Sequence, residues 1–93
     1  MELTVEHLDP DTACIVLTGR LDIAGSETIN VPFTAAASAK RFLMVDMSGV
    51  GFLASIGIRT LFSKAKMVQA RGGKMVIVAP PPNVSEVLEL TGV

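Results

Sequence analysis

The stretch RFLMVDMSGVGFLASIGIRTLF, residues 41–62, decides how the chain is organised. Its opening, residues 41–47, is a near-continuous apolar run, the pattern of a strand buried on both faces. The glycines of SGVG, residues 48–51, then read as a loop. At Ala54-Ser55 the apolar run stops and helical spacing begins at once, predicting a helix over residues 55–71 that ends at Gly72-Gly73. Strand, corner and helix form one unit of a layered α/β fold.

The flanking sequence supplies the remaining units. LTVEH (3–7) alternates apolar and polar residues, DPD (9–11) signals a turn, and TACIVLTG (12–19) reads as a second strand, so the chain opens on an antiparallel hairpin. RLDIAGSET carries helix-start residues, with Ser26 a candidate N-cap followed by Glu27. The alanine-rich FTAAASAK continues as helix, which either begins near Pro32 or kinks there. KMVIVAP (74–80) is a further buried strand, and PPPNVSEVLEL starts a last helix behind three prolines. The expected order is ββαβαβα, an α/β fold with helices packed on a mixed β-sheet, in a single domain spanning residues 1–93. The chain stops at LELTGV, in or just after the last helix, and a further C-terminal piece is expected beyond it.

Hydrophobic residues make up 49% of the 93 and charged residues 18%, which supports a packed core. A net charge of −1 argues against a general nucleic-acid-binding role, because phosphate binding needs a basic surplus. The charges are segregated: Glu2, Glu6, Asp9, Asp11, Asp22 and Glu27 lie early with Arg20 alone opposing them. Arg59, Lys64, Lys66, Arg71 and Lys74 follow later with no acid among them. Cys14 is the only cysteine and reads as a small hydrophobe in a buried strand, so neither an internal disulfide nor a cysteine-based metal site is expected. No basic-then-apolar start and no apolar run near the ~18 residues of a membrane span are present. The expected compartment is the cytoplasm, without membrane association, cofactor or metal.

Ser55 stands on the corner. A serine there can accept a hydrogen bond from a free amide of the first turn, a cap worth ~1 kcal/mol, while Gly57 lets the backbone pack closely. At about 100° per residue, Ile58, Leu61, Phe62, Ala65 and Val68 gather into an expected core stripe. The opposite face carries Ile56, Thr60, Ser63 and Met67, rimmed by Arg59 and Lys66 on one side and by Lys64 and Arg71 on the other. An apolar centre with a basic rim suits a protein-binding surface. A phosphate on Ser55 would be held by the helix start, yet a docked partner would have to bury its charge. Enzyme chemistry is not expected: His7 reads as a partly solvated strand residue, Asp46 as a loop cap, and GRLDIAG and GVGFLASIG lack the phosphate-binding lysine.

Taken in order, LTGRLDIA, FLMVDMSGVGFLASIGIRTL, RGGKMVIVAP and VLELTGV resemble the sulfate-transporter and anti-sigma-factor-antagonist (STAS) domain family, in particular its stand-alone bacterial anti-anti-sigma factors. The family's corner reads aspartate, hydroxyl residue, hydroxyl residue, glycine, which falls here on Ala54, Ser55, Ile56 and Gly57. The resemblance implies that Ser55 is the phosphoacceptor. It also implies that the unphosphorylated protein binds an anti-sigma factor that is a serine kinase, and that a PP2C-type phosphatase resets it. The partner-binding residues are then Ser55, Ile56, Arg59, Thr60, Ser63 and Met67. Ala54 and Ile56 depart from the pattern and remove a carboxylate and a hydroxyl beside the acceptor. The alternative within the family is a non-switching accessory subunit of a transport ATPase.

Overall fold

The structure, a computed structural model, describes residues 1–90 and the side chains of residues 1–86. The end of the expected LELTGV terminus therefore lies outside the described residues. The chain runs β1 (Glu2–Asp9), β2 (Thr12–Leu21), α1 (Ile23–Ala39), β3 (Phe42–Leu53), α2 (Ser55–Ala70), β4 (Lys74–Val78) and α3 (Pro82–Leu90). This is the predicted ββαβαβα order. The strands form one mixed sheet in the order β1-β2-β3-β4, with β1 antiparallel to β2 and β3 parallel to both its neighbours.

The hairpin follows from its turn: Asp9 Oδ1 accepts the Asp11 amide at 2.8 Å, fixing the reversal that DPD signals. Two successive crossovers, β2-α1-β3 and β3-α2-β4, step the same way across the sheet, so their common handedness puts α1 and α2 side by side on one face. Ala13, Ile15 and Leu17 of β2 and Leu43, Val45 and Met47 of β3 point into that layer. There they meet Ile29 and Phe33 of α1 and Leu61 and Val68 of α2. The alternate residues Cys14, Val16, Met44 and Asp46 are only half-buried. The apolar run of β3 therefore has one fully covered face, not two. Cys14 lies on the lesser-covered side, its thiol pKa raised by burial first and by Glu6 and Asp46 next.

Several boundaries differ from those predicted. SGVG is strand: β3 continues to Leu53 because β2 also continues to Leu21, pairing Thr18 with Gly49 and Leu21 with Leu53 across two irregularities. Asp46 caps the start of that extension, its Oδ1 accepting the Ser48 amide at 2.9 Å. That bond holds the carboxyl below its ordinary pKa. His7 is exposed within β1, as a solvated strand residue should be. Ser26 does not cap α1. Asp22 does, accepting the Gly25 amide at 2.8 Å, which places Ser26 inside the helix and buries it. Pro32 neither starts nor ends α1, which runs through it with the ring on the exposed side. At the far end of α2, Gly72 takes a φ of 79°, and the Gly73 amide returns to the Val68 carbonyl at 2.9 Å.

Candidate functional site

The corner is built by β2, β3 and α2 together. The Ala54 amide donates to the Leu21 carbonyl at 3.0 Å, tying the end of β3 to the end of β2. The Gly57 and Ile58 amides then turn back to the Ala54 carbonyl at 2.9 and 3.2 Å, starting the helix. Ala54 thus occupies the N-cap position and offers no side-chain cap; Ser55 is the first helical residue. The expectation of a capping serine is corrected: among the described residues the Ser55 hydroxyl makes no hydrogen bond, and the side chain is exposed. Beside it stands the positive end of the α2 dipole. Gly57 is buried against Leu21 and Leu53, which brings α2 down onto the strand ends.

The faces of α2 are turned by about one residue from the expected arrangement. The buried row is Gly57, Leu61, Lys64 and Val68, at i, i+4, i+7 and i+11. Ile58 packs against the core from its edge, whereas Phe62, expected inside, is 40% exposed. Met67, expected outside, leans onto the core. Ile56 and Thr60 turn toward α1, and the Thr60 hydroxyl donates to the Ile56 carbonyl at 3.0 Å. The solvent stripe is therefore Ser55, Arg59, Phe62, Ser63 and Lys66, basic with one exposed aromatic ring among its polar groups.

The rotation takes Lys64 into the buried row. Its charge argues for an outward position, yet its Nζ donates to Asn30 Oδ1 of α1 at 2.8 Å and the residue is buried. Arg71 is likewise not a free rim cation. Its Nη1 donates to the Ala37 and Lys40 carbonyls at 2.6 and 2.9 Å, closing the C-terminal end of α1. Of the predicted surface residues, Ser55, Arg59 and Ser63 stay together in solvent; Ile56 and Thr60 form part of a neighbouring groove, and Met67 leaves the face.

The strand ends contribute Arg20, whose guanidinium lies 4.2 Å from the centroid of the Phe52 ring and whose Nε lies 3.6 Å from Asp22 Oδ2. Ile23, at the start of α1, is 67% exposed. These α1-side residues escape a reading that starts the helix at Ser26. With Asp22 as the cap, Ile23, Glu27 and Asn30 fall on one face at helical spacing. No group of acids, histidines and cysteines among the described residues could hold a metal ion, and no described helix is long and apolar enough to cross a membrane.

Comparison with known proteins adds an independent finding. A family model described as the STAS domain matches residues 3–93. The putative anti-sigma factor antagonist BtrV of Bordetella bronchiseptica is 28% identical over 94 residues, covering 99% of this chain and 79% of BtrV. The anti-sigma factor antagonist SpoIIAA in its unphosphorylated form matches with a TM-score of 0.86 at 22% identity, covering 98% of this chain and 81% of SpoIIAA. The Bacillus cell fate determinant SpoIIAA in its phosphorylated form matches at 0.80 and 22%, with 98% and 84% covered. The likeness to both structures is one of fold.

Proposed function

Because this chain belongs to the STAS domain family, we propose that it is an anti-sigma factor antagonist whose partner binding is switched at Ser55. In its unphosphorylated state it captures an anti-sigma factor and so frees the sigma factor. The anti-sigma factor is also a serine kinase: it transfers the γ-phosphoryl group of ATP to Ser55 Oγ, releasing ADP, and the modified protein dissociates. A PP2C-type phosphatase hydrolyses the phosphoserine and restores binding. The role is non-enzymatic on this chain's part.

The observation that carries this reading is the position of Ser55, exposed at the head of α2, capping nothing and leading the Arg59–Ser63–Lys66 stripe. A hydroxyl engaged in a cap would have to leave it to react; this one is free to enter a kinase active site. Once modified, the side chain carries about −1.5 to −2 charge. The helix start favours that charge, and Arg59, one turn further on the same face, lies within reach of it. The fold therefore tolerates the phosphate, whereas a docked partner has to desolvate it. The basic stripe suits a partner that presents acidic groups around the Ser55 contact.

The test is incubation with the anti-sigma kinase and ATP, followed by intact mass measurement and peptide mapping. One phosphate on Ser55 is expected, with none on a Ser55→Ala variant. Stable capture of the kinase without phosphate on Ser55 would contradict the switch while leaving antagonist binding intact.

A further inference from the structure

Helices α1 and α2 flank an open groove of about 540 Å³, a size that accommodates a small ligand. Ile23, Ser26, Glu27 and Asn30 line the α1 wall at i, i+3, i+4 and i+7, and Ile56 and Thr60 line the α2 wall. The α2 row continues one turn further to Lys64, behind Asn30.

Two buried groups at this level lack what their chemistry requires, and the exposed Asn30 beside them has a donor to spare. Lys64 is 6% exposed, and its hydrogen bond goes to the neutral Asn30. The one ion pair among the described residues joins Arg20 to Asp22, so no carboxylate neutralises the Lys64 ammonium. An ammonium can only donate, which obliges Asn30 to turn its oxygen to Lys64 and leaves its NH2 group for another acceptor. Ser26 is also 6% exposed, and its buried hydroxyl has no hydrogen-bond partner. Buried polar groups left in this state are destabilising unless an occupant completes them. A carboxylate oxygen can accept from Ser26 Oγ and Asn30 Nδ2 and balances the Lys64 charge. The remaining lining is different: Ile23 and Ile56 are apolar, and Glu27 is the only acid.

We propose that this groove binds a free α-amino acid with an aliphatic side chain. The carboxylate accepts from Asn30 Nδ2 and from Ser26 Oγ, which reaches it by rotation about the Cα–Cβ bond, with the Lys64 charge behind them. The ammonium faces Glu27, and the side chain lies between Ile23 and Ile56. A simple carboxylic acid would leave Glu27 facing a like charge, and a simple amine would meet Lys64. The zwitterion satisfies both ends. Binding is non-covalent and does not depend on the Ser55 reading, although Ile56 couples the groove to the adjoining residue.

The test is titration of 15N-labelled protein with L-valine, L-leucine or L-isoleucine, followed by amide chemical shifts. 4-Methylpentanoate and 3-methylbutan-1-amine serve as the analogues lacking one charge. Saturable shifts are expected at Ser26, Asn30, Ile56 and Thr60 for at least one amino acid, with each analogue roughly tenfold weaker or more. Ser26→Ala and Glu27→Gln should each weaken binding while leaving the rest of the spectrum in place. No saturable response to any of the three amino acids overturns the proposal, as does the carboxylate analogue binding as tightly as leucine. A groove silent to all of them, in which Ile23→Asp nevertheless abolishes capture of the anti-sigma kinase, is a protein-docking face, and that result also overturns it.

Discussion

A methyl group on Gly57 would stand 2.7 Å from both Leu21 Cγ and the Leu21 carbonyl oxygen, and 2.9 Å from Leu53 Cδ1. Backbone on one side and core on the other leave little room to give. Gly57→Ala is expected to destabilise the domain by about 1–3 kcal/mol in urea unfolding. Ser55→Ala, two residues earlier, removes no hydrogen bond and should change stability by less than about 0.5 kcal/mol. A loss near the ~1 kcal/mol of a true cap would instead assign Ser55 a structural role. Asp22 supplies the α1 cap that Ser26 does not. Its carboxyl is held below the ordinary range, first by the Gly25 amide and also by Arg20. A depressed folded-state pKa means that the contribution is present above the unfolded value of about 3.9 and is lost as pH falls through the folded value. Asp22→Asn, which keeps an uncharged acceptor, should therefore flatten the acid side of a Tm-against-pH profile; an unchanged acid side would contradict the role. The sequence reading puts the cap at Ser26, four residues past Asp22, the residue that takes it. Tertiary structure decides: β2 runs on to Leu21, so the helix opens directly after it.

Among the elements, α2 was the clearest in sequence and its orientation the least so. Its length follows from apolar periodicity and the double glycine, both local properties. Its rotation buries Lys64, a residue whose type argues for solvent and whose partner is Asn30, 34 positions earlier on another helix. No period in the sequence carries that pairing. The extension of β3 through SGVG was hidden for a similar reason, since two glycines weaken the strand pattern and only the partner strand restores it. Arg71 shows what such distant pairing contributes. Its two bonds to the end of α1 join the helices at their far ends, and Arg71→Ala is expected to destabilise by about 1–2 kcal/mol. An unchanged urea midpoint would mean that the guanidinium is replaced by water without loss.

For the molecule as a whole, the parallel crossovers place the head of α2 and the start of α1 at one end of the sheet, where Arg20 and Phe52 pair across the strand ends. That end was legible through motif order, because strand-corner-helix units and the resemblance both converge on residues 54–57. The surface around it was legible only in part, since Ser55, Arg59 and Ser63 keep their places while Met67 turns inward and Ile56 and Thr60 face α1. In the proposed switch, charge on Ser55 dissociates the partner without disturbing the fold. Its most direct measurement compares the affinity of the anti-sigma kinase for the unmodified protein and for protein fully phosphorylated on Ser55, with the Tm of each. Binding at least about a hundredfold weaker after phosphorylation, equivalent to roughly 2.8 kcal/mol, with a Tm changed by only a few degrees, is the predicted result. Equal affinities, or a loss of binding that accompanies unfolding, would contradict it.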